Sequence, residues 1–391
     1  MKEGWEIKKL KDVCSYDKEI VTNPDLPYVG LEHIESKSGK FVGTLKPTTV
    51  KSSTFHFTEK HVLYGRLRPY LNKVFLPFFE GHCSTEIFPI SVTTRILREY
   101  LYYWFLLDST VKKIDATRTG ARMPRANMTQ VSEFEIPLPP LSEQKEIVAL
   151  LDDVLSRIDK ARENIEKNVK YAEKLFLSKS NKVFTEILET YGSVKLESIT
   201  ELITKGSSPK WQGVNYTKEP GILFVTSENV SKGHMDFSVK KYVESRFSDI
   251  ERKSVLKKGD VLTNIVGASI GRTAIYTGNE IANINQAICL IRCNSIKISN
   301  TYLMYLLNSP YFIQVLHDNE IDNARANLSL SFFRNLTIPC PSLEVQQDTV
   351  AELDALEKQR SALTNLYTQK LQALDELRNS LLEKAFRGEL T

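Results

Sequence analysis

Cysteine is scarce and scattered. Cys14, Cys83, Cys289, Cys293 and Cys340 are the five in 391 residues, with no CxxC pair. An odd set without that pair excludes a closed disulfide framework and a zinc module, so free thiols are expected. Long apolar runs are missing too. The longest aromatic-aliphatic stretch, residues 100–107, is far short of a membrane span, and the opening MKEGWEIKKL has no signal-peptide core. A soluble, cytoplasmic protein is expected. Disorder is excluded because 41% of residues are apolar and 26% charged, enough to bury sizeable cores in two or three domains.

Catalytic signatures are equally thin. VGASIGRT (266–273) invites a phosphate-loop reading, but it has one residue too few between Gly267 and Gly271 and arginine in place of the lysine. The two glycines are better read as permitting a tight loop beside a ligand or strand. Pro24-Asp25 followed by Glu35-Ser36-Lys37 could hold magnesium in a stand-alone endonuclease, yet the pattern is short and has no counterpart elsewhere in the chain. His56, His61, His82 and Cys83 lack metal-ligand spacing and read as packing or surface groups. The chain alone is not expected to be an enzyme, to bind a metal or to carry a cofactor.

What is present is a long internal repeat. RANMTQVSEFEIPLPPLSEQ (125–144) returns as RANLSLSFFRNLTIPCPSLEVQ (325–346), and HVLYGRLRPYLNKVF (61–75) aligns with DVLTNIVGASIGRTA (260–274), setting Lys73 opposite Arg272. Residues 97–108 match 298–309, and 4–13 match 192–202 weakly. The period is far too long for a solenoid, so two similar halves about an approximate two-fold axis are expected. The parts are a mixed domain at 1–140, a helix at 141–190, a second mixed domain at 191–341 and a second helix at 342–391. Formal charge follows the same division, at +4, −1, +4 and −3 in that order. Basic blocks separated by acidic ones suit a polyanion ligand, although so small an excess also suits an ordinary solvated surface.

Each helix follows a proline-rich exit. Ser142 is placed to cap the first, with Glu143 and Glu146 complementing its dipole. Ile147, Leu151, Val154, Ile158, Ala161, Ile165, Ala172 and Leu175 form a heptad seam, with Asn168 on it as a register-fixing buried amide. Val350, Leu353, Leu356, Leu363, Leu366, Leu371, Leu374, Leu377 and Leu381 form the second seam. The two helices, each on the order of 70 Å long, are expected to pair as an antiparallel coiled coil. The alternative is that each lies on its own domain. The domains read as α+β: β-rich runs at 221–226, 260–265 and 288–292 lie between turn clusters, and residues 100–107 form a buried helix.

The basic loops carry the functional signal. GRLRPYLNK (65–73) offers Arg66 and Arg68 as forks for guanine edges or phosphates, with Tyr70 stiffening the loop and Lys73 closing it. Its counterpart NIVGASIGR (264–272) keeps Arg272 but substitutes small and polar groups, Asn264 and Ser269 among them. Identical loops would read identical sequences; these would not. ATRTGARMPRAN (116–127) adds Arg118, Arg122 and Arg125, TKGSSPKW (204–211) adds Lys205, Ser207, Ser208 and Lys210, and Arg325 repeats Arg125. Singly, each is an unremarkable surface charge; their recurrence in both halves favours double-stranded DNA.

IPLPPLSEQ (136–144), its echo IPCPSLEVQ (338–346), RLRPYLNK, VGASIGR and the terminal AFRGEL (385–390) together resemble the specificity subunit of type I restriction-modification enzymes across essentially the whole chain. The resemblance implies a noncatalytic subunit whose two target-recognition domains each read one half of a split, asymmetric site. It implies helices that set the gap and dock two modification subunits for adenine N6-methylation. S-adenosylmethionine, ATP and magnesium would sit on the modification and restriction subunits. Two departures stand out: Cys340 and Ser342 at the second exit, and a first helix without FRGEL, whose end is placed near Leu188. A coiled-coil adaptor without DNA affinity is the remaining alternative.

Overall fold

Short β-branched and aromatic runs build the sheets. In the computed structural model, which describes residues 2–22, 25–218, 221–320 and 326–390, the buried strand Val62–Gly65 pairs antiparallel with Ile87–Val92 and Val74–Phe75. Cys14–Tyr16 completes that four-stranded sheet. A second sheet runs Ile20–Val21, Thr54–Phe57, Gly81–Ser84, Tyr28–Val29, the last pair being parallel. The ribbon Glu6–Lys9 with Glu135–Leu138 leads to the first long helix. The expected aromatic helix, Arg98–Leu106, buries Tyr100, Leu101, Phe105 and Trp104 against these strands, and Phe105 stacks on Tyr64 at 4.8 Å.

The pattern is then repeated. Thr200–Lys205, Ile288–Cys293, Val261–Asn264 and Thr273–Ile275 form the four-stranded antiparallel sheet, and Ser193–Lys195 pairs with Thr337–Pro339 as the ribbon. Ile222–Val225 and Ala282–Ile284 reproduce the parallel pair. One strand moves. Thr54–Phe57 flanks Gly81–Ser84, whereas its counterpart in chain order, Tyr242–Val243, flanks Ile222–Val225 on the other side of the parallel pair. The chain divides into two compact units, Met1–Glu166 with Thr368–Thr391, and Lys167–Tyr367. The architecture is α+β, with two repeated domains and two long helices.

A buried glutamine ties each long helix to its domain. Gln144 Oε1 accepts from Leu97 N at 2.8 Å, while Nε2 donates to the carbonyls of Arg95 and Pro139 at 3.0 and 2.9 Å. Gln346 does the same with Ser299 N, Lys297 and Pro341 at 2.8, 3.1 and 2.9 Å. The sequence separations, 47, 49 and 5 residues, are identical in both sets. Tyr100 and Tyr302 donate to the carbonyls of Pro137 and Pro339, and Tyr103 and Tyr305 to Asp152 and Asp354, again at matching separations. The far ends of the helices match too. Phe386 packs on Tyr100 with ring centroids 4.6 Å apart, and Phe184 on Tyr302 at 5.7 Å. Each unit therefore holds the start of one helix and the end of the other.

The helices run Leu141–Thr190 and Leu343–Arg387, so the first continues past Leu188. Within the first unit they are antiparallel neighbours, with Arg378 Nη1 3.1 Å from Asp159 Oδ1 and Arg162 paired to Asp375. Within the second, Arg360 Nη1 reaches Glu173 Oε2 at 3.1 Å.

Three expectations about them are corrected. Ser142 does not cap: the first helical bond is accepted by Pro140, so Ser142 lies inside the first turn; Glu143 is in that turn as expected and also receives Trp5 Nε1 at 3.1 Å. Asn168 and Leu175 are exposed because the inward row steps by four twice in succession, from Ala161 to Ile165 to Val169, before going on to Ala172 and Phe176, a stutter that rotates the seam. Leu363, Leu366 and Leu377 are also exposed. Arg360, Thr364, Tyr367, Leu371, Leu374 and Arg378 hold that row, with both arginines partly buried and the Arg360 guanidinium carbon 5.8 Å from the Phe176 ring centroid.

Cys14, Cys83 and Cys289 are buried, all five cysteines are free, and burial pushes the Cys14 and Cys293 thiols up to about 12, which leaves them protonated and inert. No helix among the described residues is long and apolar enough to cross a membrane. Replacing Gln144 or Gln346 by alanine strands one buried N–H and two carbonyls in each case. Each change is expected to cost about 1–3 kcal/mol in urea unfolding; equal midpoints for wild type and variants would remove the amide from this role.

Candidate nucleic-acid interface

The loop after Val62–Gly65 is bent sharply. A single turn, Pro69–Leu71, is flanked by Arg68 at φ 52° and Asn72 at φ 44°, left-handed conformations that non-glycine residues rarely adopt. Backbone bonds from Arg68 N to Pro124 O at 2.7 Å and from Ala126 N to Arg66 O at 2.9 Å stitch this loop to residues 118–126. Two of the predicted basic stretches thus form one surface. Arg68, Arg118 and Arg122 are exposed on it, Tyr70 is 44% exposed, and Arg118 pairs with Asp115 at 2.7 Å.

Arg66 and Arg125 converge on one carboxylate. Arg66 Nε donates to Glu86 Oε2 at 3.0 Å, and Arg125 Nη2 and Nε donate to Glu86 Oε1 at 2.7 and 2.9 Å. Burial works to raise the Glu86 carboxyl, but bonds and charge from Arg125 and Arg66 outweigh it and hold the group below its ordinary value. Lys73 turns inward instead: its Nζ donates to the Leu31 and Ile34 carbonyls at 2.6 and 2.8 Å.

The second unit is stitched in the same way. Gly267 N donates to Ala326 O and Leu328 N to Ile265 O, both at 2.9 Å. Arg325 lies outside the described residues. Arg272 is exposed, Ser269 is half-buried, and Asn264 is wholly buried, its Nδ2 donating to Ser227 O at 2.9 Å, so its side chain is turned into the fold and away from any ligand in this conformation. Gly267 (φ 72°) and Gly271 (φ 84°) supply the left-handed backbone, and a Cβ on Gly271 would meet Ile313 Cδ1 at 2.6 Å. The turn Gly267–Ser269 leads to the strand Thr273–Ile275, not to the helix a phosphate loop requires.

The third basic stretch comes close to this loop. A Cβ on Gly206 would lie 1.7 Å from Ile284 O, so the backbone at Gly206 sits against the end of Ala282–Ile284, and Ile265 N donates to nearby Ala287 O at 2.9 Å. Lys205 and Lys210 are exposed; Ser207 Oγ accepts from Gln212 Nε2 at 3.0 Å. Trp211, not singled out as a site residue from sequence, is 75% exposed on the turn Pro209–Gln212, with Tyr216 nearby in sequence at 58%. The turn is braced from beneath by buried Pro209 and Val214, joined by a 2.9 Å backbone bond. Its sequence signal was a tryptophan between lysine and glutamine in a Ser/Pro loop.

The histidines are engaged in the fold. His82 is buried against Thr54 and Thr48, His56 lies between Glu19 and Glu80, and His61 meets Asp17. No group of three or more His, Cys, Asp or Glu residues is placed to hold a metal among the described residues.

Residues 2–170 and 189–373 match the family model of the type I restriction modification DNA specificity domain. The chain belongs to this specificity family. It is similar to the EcoBI specificity subunit of Escherichia coli, 25% identical over 311 residues, which cover 74% of this chain and 65% of that subunit. The chain thus spans just under two thirds of that relative's length. The MjaVIII specificity subunit of Methanocaldococcus jannaschii is 23% identical, with 99% and 93% covered. A chain in a structure concerned with assembly and conformational transition of the type I R-M system superposes with a TM-score of 0.79 at 23% identity, covering 100% and 99%. That likeness shows the fold.

For a member of this family, an exposed indole beside two lysines is a direct reporter. Trp5 and Trp104 are 5% and 3% exposed, so iodide quenching of emission should come from Trp211 and vanish in Trp211→Phe. Saturating duplex DNA should protect it. Equal quenching with and without DNA would place the indole off the interface.

Proposed function

We propose that this chain is the noncatalytic DNA specificity subunit of a type I restriction-modification system, each unit reading one half of a bipartite, asymmetric site in double-stranded DNA. The helix pair sets the spacer and docks two modification subunits for adenine N6-methylation. Those subunits carry S-adenosylmethionine; restriction subunits, where present, carry ATP and magnesium; this chain carries no cofactor.

One observation carries the reading. The two units share a hydrogen-bonded framework down to identical separations around Gln144 and Gln346, yet their stitched loops differ chemically, Arg66 and Glu86 on one standing where Ile265 and Ala287 stand on the other. Like frameworks supply like positions for two copies of a partner, and unlike loops supply unlike base contacts. Exposed Arg68, Arg122, Tyr70, Arg272, Lys205 and Lys210 are the residues we assign to DNA, with Arg66 and Arg125 beside them and Arg325 by repetition.

Methylome sequencing of cells carrying the chain with compatible modification subunits should give a two-part motif. Arg68→Ala should relax one part only, by about 1–3 kcal/mol if the guanidinium forks a guanine; uniform weakening on all sequences would assign it to phosphate. Inserting a heptad into both long helices should lengthen the unread gap and leave both parts intact. An unchanged gap would end the ruler role.

A further inference from the structure

We infer that Glu86 is a positioning residue that sets the first unit's sequence preference, holding Arg66 and Arg125 as one oriented reading pair. The inference rests on the DNA-reading function proposed above and names the group that tunes it.

The geometry is specific. Glu86 uses Oε2 for Arg66 Nε at 3.0 Å and Oε1 for Arg125 Nη2 and Nε at 2.7 and 2.9 Å. Arg66 is pressed from the other side, its Cζ lying 5.2 Å from the ring centroid of buried Phe88. Arg125 also donates Nη1 to Met123 O at 3.3 Å. The backbone fixes the same three segments, with Arg66 N bonded to Glu86 O and Ala126 N bonded to Arg66 O, both at 2.9 Å. All three side chains stay partly accessible, at 32%, 21% and 38% for Arg66, Glu86 and Arg125. Arg66 spends Nε on the carboxylate, and no Nη bond to a described residue competes with a ligand.

The second unit has the same backbone bond, Ile265 N to Ala287 O at 2.9 Å, with apolar residues where Arg66 and Glu86 stand in the first. The cluster is therefore not needed to make the fold; it is what differs on top of it.

A free arginine beside DNA finds the nearest phosphate, which adds affinity without sequence information. One already held by a carboxylate is half-neutralised and fixed in plane. It gains from DNA chiefly where a guanine O6/N7 edge meets its remaining donors. Removing the carboxylate should thus move two quantities in opposite directions, which a purely structural ion pair would not do.

The test uses the full chain with modification subunits, a pool of randomised duplexes whose bound fraction is sequenced, and a salt-titrated mobility shift on one unrelated duplex. Glu86→Gln and Glu86→Ala should lower discrimination at the first unit's half-site at least ten-fold, leaving the second half-site as in wild type, which also reports a folded chain. Retention of the unrelated duplex should rise several-fold, with a salt slope steeper by about one ion. Unchanged preference at both half-sites in the two variants overturns the inference, as does a loss of discrimination with no gain on unrelated DNA. A wild-type chain that enriches no sequence overturns instead the DNA-reading function beneath it.

Discussion

A primary amide buried with all its partners in place anchors this architecture. Gln144 and Gln346 are fully buried, and each satisfies one N–H and two carbonyls that would otherwise face an apolar interior. An unmatched amide at such a site costs several times what a surface bond gains, so the geometry is close to all-or-none. The groups it joins are the entry to the aromatic helix, the residue two before that entry and the proline exit. Fixing them fixes the direction in which the long helix leaves its own domain. Tyr100 and Tyr103, with Tyr302 and Tyr305, brace the same junction from the aromatic helix, and Phe386 and Phe184 close it with the returning helix.

A junction specified this tightly leaves the loops of each domain free to vary. The loops at 66–73 and 265–272 keep their backbone bonds to neighbouring segments while exchanging nearly every side chain. Even the sheet beneath is permitted a change: the third strand of the mixed sheet sits on opposite sides of the parallel pair in the two units. Loops carried on a rigid frame place polar side chains reproducibly, and that is the condition for reading base edges.

The frame was legible in the sequence and the interface only in part. The repeat, the α+β character, the aromatic helix and both long helices follow from apolar periodicity and proline exits, signals that act over neighbouring residues. Gln144 and Gln346 were visible as repeated letters but carried no hint of burial. Asn168 and the leucines at 363, 366 and 377 were misassigned because a strict heptad ignores a stutter, and because arginines can occupy an inward row that leucine was expected to hold. Phe184 was hidden because its segment keeps only the phenylalanine and the last leucine of AFRGEL. Lys73 and Asn264 are polar letters in exposed-looking loops, yet backbone carbonyls claim their donors. Glu86 could not be found locally at all, since its two arginines lie 20 and 39 residues away in sequence.

Charge is where these features meet. A net of +4 on 391 residues is modest for a chain read as a DNA ligand, and the basic loops explain why. Arg66 and Arg125 share Glu86, Arg118 has Asp115, and Lys73 is spent on two carbonyls. Muting the cations lowers the phosphate contribution common to every sequence. It leaves the oriented hydrogen-bond donors, whose gain depends on the base presented. Because a genome offers vastly more unrelated sites than targets, discrimination is governed by the ratio of these two contributions, not by either alone. An arginine that brings its own carboxylate gives up affinity for the unrelated sites first, and that is the side of the ratio on which a weakly basic reader can improve.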